Sequence, residues 1–167
     1  MPSEFSFDIV SKVDMTEVTN AITQAQKELS QRFDFKGSKS EITQEVKDKK
    51  DLINVVGDDE MKLQQVMDIV ESKLAKRNVS LKALEYAEPE AAFSGTVRRI
   101  ITIKSGIETE KAKEITKFLR DAKFKAQCHI QDAQIRVTSK VKDELQGVMK
   151  AVRDHDFGIY LHFTNFR

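Results

Sequence analysis

The chain repeats itself. Offset by 82 positions, residues 52–70 match residues 134–152 at seven of nineteen places: Ile53/Ile135, Val55/Val137, Leu63/Leu145, Gln64/Gln146, Val66/Val148, Met67/Met149 and Val70/Val152. Six of these pairs are apolar at the spacing that a core-facing strand or helix demands, so shared packing alone would ask for them. Gln64/Gln146 is the match that packing does not require. A chain of 167 residues with such a period reads as two similar units, each large enough for its own core.

The local patterns agree. Phe5, Phe7 and Ile9 alternate with Ser6 and Asp8, as a half-buried strand does. Met15, Val18, Ile22, Ala25 and Leu29 recur at helical spacing behind Asp14 and Glu17, so residues 14–31 are expected to be helical. Two strands, 38–47 and 51–56, form a hairpin about the polar stretch 48–50. Asp58 and Asp59 cap a second helix, and a short strand near 79–85 closes the half. Pro89 and Gly95 then interrupt the periodicity, and 87–96 reads as a linker between domains 1–86 and 97–167. The second half spells the same order: strand 97–104, helix 107–121, strands 123–131 and 134–138, helix 140–153, strand 160–165. Two βαββαβ units predict an α+β protein of two ferredoxin-like domains, each an antiparallel sheet with helices on one face.

Several function classes drop out. The one cysteine, Cys128, closes no intramolecular bridge, and no apolar run approaches the ~18 residues of a membrane span. Without a basic-then-apolar amino terminus, a cytoplasmic location is expected and no membrane partner. The six glycines fall into neither a P-loop nor a dinucleotide-binding turn, and His129, His155 and His162 have no recognised metal-ligand spacing. No metal, cofactor or catalytic constellation is expected, and the chain is read as a non-enzyme. Residues 1–90 hold 13 Lys/Arg against 18 Asp/Glu, and residues 91–167 hold 15 against 9. A cationic second half favours an anionic ligand, although many such lysines only solvate helices.

Two local features carry possible chemistry. Lys125, Gln127 and His129 alternate away from the core, as do Gln134, Arg136 and Thr138, which predicts an open polar sheet face without the aromatic platform of RNA-reading sheets. The run Arg32-Phe33-Asp34-Phe35-Lys36-Gly37 crowds two rings, two cations and a glycine together. Its rings either stack a base beside phosphate-binding cations or plug the end of a small core.

Ser6 to Ser11, Arg32 to Gly37, Lys104 to Glu108, Arg136 to Lys140 and the terminal Asn165-Phe166-Arg167 together resemble the YajQ family of bacterial proteins over essentially the whole chain. The resemblance implies two ferredoxin-like domains that exchange their first strands (5–10 and 97–104), and a cytoplasmic nucleotide-binding regulator. Its implied ligands are purine nucleotides, cyclic di-GMP or tRNA. On that footing Arg32, Lys36, Lys104, Arg136, Lys140 and Arg167 are candidate phosphate contacts. Phe33 and Phe35 are candidate stacking rings, and Gly37 and Gly106 would give backbone access. The other reading is an adapter that docks a regulatory protein with no small ligand. Ser139 stands where glycine is common in the family, so it can cap the following helix but narrows any phosphate's approach.

Overall fold

In the computed structural model, which describes residues 4–167, the first strand finds its partners at the far end of the chain. β1 (Phe5–Val10) buries Phe7 and Ile9 completely. It runs antiparallel to β8 (Gln134–Ser139), with Phe7 opposite Val137 and Ile9 opposite Ile135, and on its other edge to β9 (His162–Thr164). With β7 (Gln127–Gln131) the strand order is β7-β8-β1-β9. Two helices, α3 (Thr109–Asp121) and α4 (Lys142–Asp154), turn Ala112, Ile115 and Leu119, and Leu145, Val148 and Val152, into the core of this sheet. Each fully buried aliphatic side chain of this kind stabilises by about 1.5–3 kcal/mol relative to exposure. The chain up to Lys12 and Ser105–Arg167 make up this split unit.

Val13–Lys104 forms a contiguous unit on the same plan. Its sheet runs β2 (Glu41–Lys47), β3 (Lys50–Gly57), β6 (Val97–Ile103), β4 (Leu84–Tyr86), all antiparallel, and β5 (Glu90–Ala91) also pairs with β6. Its helices are α1 (Met15–Gln31), where Asp14 accepts from the Thr16 amide at 3.0 Å, and α2 (Glu60–Lys76), where Asp59 accepts from the Lys62 amide at 2.8 Å. These side chains satisfy amides that a helix start leaves without partners. Both units are thus α+β, with antiparallel sheets and packed helices consistent with ferredoxin-like units.

The structure differs from the sequence expectations in several ways, among them that the strand expected over 123–131 starts only at Gln127, which leaves Lys125 outside the sheet face predicted for it. Residues 87–96 do not link the units: β5 lies there, the Ala87 amide donates to Ile100 O at 2.9 Å, and the segment belongs to the contiguous unit. Residues 81–83 form a 3-10 turn capped by Ser80, which shortens the following strand to Leu84–Tyr86. The charge asymmetry also shrinks. β6 and its end carry Arg98, Arg99 and Lys104 into the contiguous unit, which holds 15 Lys/Arg and 16 Asp/Glu, against 13 and 11 in the split unit. A boundary near residue 90 exaggerates the contrast because it assigns a basic strand to the wrong sheet.

Candidate functional site

The ten sequence-selected residues divide between the units. In the contiguous unit, Arg32 ends α1 and grips Asp34 with two hydrogen bonds, 3.0 and 2.8 Å. That contact holds the Asp34 carboxyl below its ordinary range. Phe35 is buried in the core, with the Lys62 ammonium 4.7 Å and the Arg32 guanidinium 5.3 Å from its ring centre. Phe33, 86 % exposed, is therefore the ring open to solvent. Lys36 is exposed, and Gly37 turns the chain at φ +76°. Phe35, Lys36 and Gly37 border a groove of about 450 Å³ between α1 and β2, across which Gln26 Nε2 donates to Ile42 O at 2.7 Å. Lys104 lies 3.6 Å from Glu85.

In the split unit, Arg136 projects from the sheet face opposite the helices. Registers set His129, Arg136, Asp8 and Thr164 in one row across four strands. Asp8 is nearly inaccessible, and it accepts from Arg136 Nε at 2.9 Å, Arg136 Nη2 at 3.3 Å, Asn165 Nδ2 at 3.0 Å and Gln134 Nε2 at 3.3 Å. The Arg136 hydrogen bond, more than the added bond from Asn165, holds this carboxyl below its ordinary range against the opposing effect of burial. A phosphate arriving at Arg136 must compete with Asp8. Arg167 is fixed by its backbone, through reciprocal bonds with Ser6 at 3.0 and 3.1 Å. Gly106, at φ +91°, donates to Ser11 O at 2.5 Å. Lys140 is exposed beside Ser139, whose hydroxyl accepts from the Val141 amide at 3.1 Å and donates to Lys125 O at 2.7 Å. Ser139 does not cap α4 as its chemistry suggests: the N-cap is Val141, with no side-chain cap bond, and the Ser139 hydroxyl instead holds the turn that precedes the helix.

A cleft of about 730 Å³ lies elsewhere in the split unit, between α3 and the free edge of β7. Lys113, Lys117 and Arg120 line one wall at positions i, i+4 and i+7, which a helix places on one face. Among the described residues none of these three side chains forms an ion pair, whereas the neighbouring Lys111 is held by Glu114 at 2.9 Å. Phe124, Cys128 and Ile130 supply apolar surface. Burial pushes the Cys128 thiol up, with the Arg120 charge acting in the opposite sense. Gly147 of α4 makes room for Phe124: a Cβ there would come within 2.9 Å of Phe124 Cε1. Sequence reasoning passed over this row, although its i, i+4, i+7 spacing is visible. Among the described residues no group of acidic, histidine or cysteine side chains is placed to hold a metal ion, and no helix is long and apolar enough to cross a membrane.

A cleft of this volume, with unneutralised cations on one wall and apolar surface beside them, has the size and chemistry of a small-ligand site. Comparison with known proteins agrees in kind. A family described as "Nucleotide-binding protein YajQ-like" matches residues 5–167. Proteins named "Nucleotide-binding protein" are similar over nearly the full length of both chains. One from Trichlorobacter lovleyi is 53% identical over 97% of this chain and 98% of its own, and one from Carboxydothermus hydrogenoformans is 50% identical over 100% of each. A third, from Desulfitobacterium hafniense, is 53% identical over 100% of each. The chain belongs to the YajQ-like family.

Proposed function

We propose that this protein binds a nucleotide in the cleft between α3 and β7 and does not transform it. The observation that carries the reading is the row of Lys113, Lys117 and Arg120, three cations that among the described residues have no acidic partner, on the wall of a cleft of about 730 Å³. Phosphate oxygens supply the missing negative charge, and Phe124 and Ile130 offer apolar surface to a base. The names of its relatives support a nucleotide over other anions. A regulatory role in the cytoplasm, and a purine nucleotide, a cyclic dinucleotide or RNA as the ligand, belong to the same reading. So does the view that crossed strand pairing reflects two copies of one module that exchange first strands, which the placement of β1 and β6 supports.

Titration calorimetry with ATP, GTP, cyclic di-GMP and tRNA tests it. Lys117→Glu is expected to weaken the bound ligand at least about tenfold, a change of roughly 1.4 kcal/mol. Lys36→Glu, at the groove in the contiguous unit, is expected to leave affinity unchanged. Loss of binding in the Lys36 variant alone would move the site to the Arg32–Gly37 cluster, and absence of binding by the nucleotide-free protein to all four would overturn the reading.

A further inference from the structure

We infer that β7 is a docking edge for an extended acidic peptide, which joins the split unit's sheet as an added strand. β7 stands at the end of the strand order and pairs with β8 alone. Exposed sheet edges usually carry devices that stop other chains from pairing: inserted charges, proline, bulges or very short length. Gln127-Cys128-His129-Ile130-Gln131 has no lysine, arginine, acid or proline, and all but Cys128 are exposed. The contiguous unit's corresponding edge, β2, carries Glu41, Glu45 and Lys47, and the far edge strand β9 is three residues long. β7 is the edge left without such protection.

The occupant's chemistry follows from what flanks that edge. Cys128 and Ile130 pair with the core-facing Val137 and Ile135, so their side of β7 is the helix side, and there the cleft opens beneath α3. A strand added to β7 would lie about 4.8 Å away, with alternate side chains about 6.7 Å apart turned to the helix side. The cations of α3 rise about 6 Å from Lys113 to Lys117 and about 4.5 Å more to Arg120. Acidic residues at alternate positions are spaced closely enough to these cations to pair with them, and the aliphatic stems of those acids would cover Ile130, which is 41% exposed. Charge also argues against a second copy pairing β7 to β7, since that would crowd six unneutralised cations together. Backbone hydrogen bonds would supply affinity and the α3 row the selectivity, as strand addition elsewhere does. Peptide and nucleotide would then exclude each other, a consequence that rests on the nucleotide reading above, whereas strand addition itself does not.

Fluorescence anisotropy with a labelled peptide alternating Glu and Thr tests this on the intact protein. N-methylating alternate peptide amides blocks one edge of the peptide at a time and leaves the protein untouched. The inference expects one methylated set to bind at least about tenfold more weakly and the other to bind as the parent does, Lys117→Glu to weaken the parent at least about tenfold, and a Lys-Thr peptide not to bind. Equal binding by both methylated sets, no binding by the Glu-Thr peptide, or concentration-dependent self-association in its place overturns the inference. ATP and GTP are then titrated into the peptide complex. Displacement supports shared occupancy, while binding of nucleotide without displacement overturns the nucleotide's placement and leaves the added strand standing.

Discussion

Asp8 is nearly inaccessible and still ionised because Arg136, Asn165 and Gln134 all donate to it. Its folded pKa lies below the unfolded value, so it contributes stability above about pH 4 and loses that contribution as pH falls through the lowered folded value. Asp8→Asn is therefore expected to cost about 2 kcal/mol at pH 7. The gap between wild type and variant should begin to narrow as pH falls through about 4, where the unfolded carboxyl protonates, and close below the lowered folded value, where the folded carboxyl is protonated too. Urea denaturation at neutral and acid pH measures both; an equal gap at both would show that the charge is not what stabilises. Alternation in the sequence already put Arg136 on the face away from Ile135 and Val137. Nothing near it in sequence announces its acceptor, since Asp8 lies 128 positions earlier. The two readings of Phe33 and Phe35 divide by residue for a similar reason: which ring enters the core depends on where a short 3-10 turn points it, and composition carries no such direction.

Helices and hairpins were legible because their periodicities are local. The ends of β3 and α2, and the cap at Asp59, fall close to where alternation, stripe and capping chemistry put them. The cleft was not, because a cavity belongs to the spacing between two elements, and a row of lysines on α3 reads in sequence like any solvated helix face. Gly147 shows how one element shapes another. In a helix interior, replacing glycine by alanine gains about 1 kcal/mol, while the new Cβ presses on the Phe124 ring at 2.9 Å. These effects are of similar size and opposite sign. Gly147→Ala is thus expected to shift the thermal midpoint little but to weaken nucleotide binding by displacing the ring. Calorimetry on the variant checks both, and unchanged affinity would mean that Phe124 does not support the ligand.

For the whole molecule, the natural cut is not at the middle of the sequence. Residues 13–104 contain β6 between β3 and β4 together with all the buried residues of their core. A fragment of residues 13–104 is expected to unfold cooperatively, because its sheet keeps its central strand. Residues 1–86 lack β6 and hold β1 without β8 or β9, so that fragment should show no cooperative transition by circular dichroism. The reverse result would mean that the pairing of β1 and β6 does not govern stability.

That pairing also gives the two units different histories on the ribosome. At roughly 5–20 residues per second, β6 emerges soon after β3 and β4, and the contiguous unit has all its strands once Lys104 is clear. β1 is made first, yet Arg136, which receives Asp8, follows 128 residues later, about 6–25 seconds at that rate. During that interval an apolar strand holding Phe5, Phe7 and Ile9 has no native partner. In that interval Asp8 gives β1 a charge in the middle of the strand, which guards it against non-native pairing and which the finished protein neutralises with Arg136.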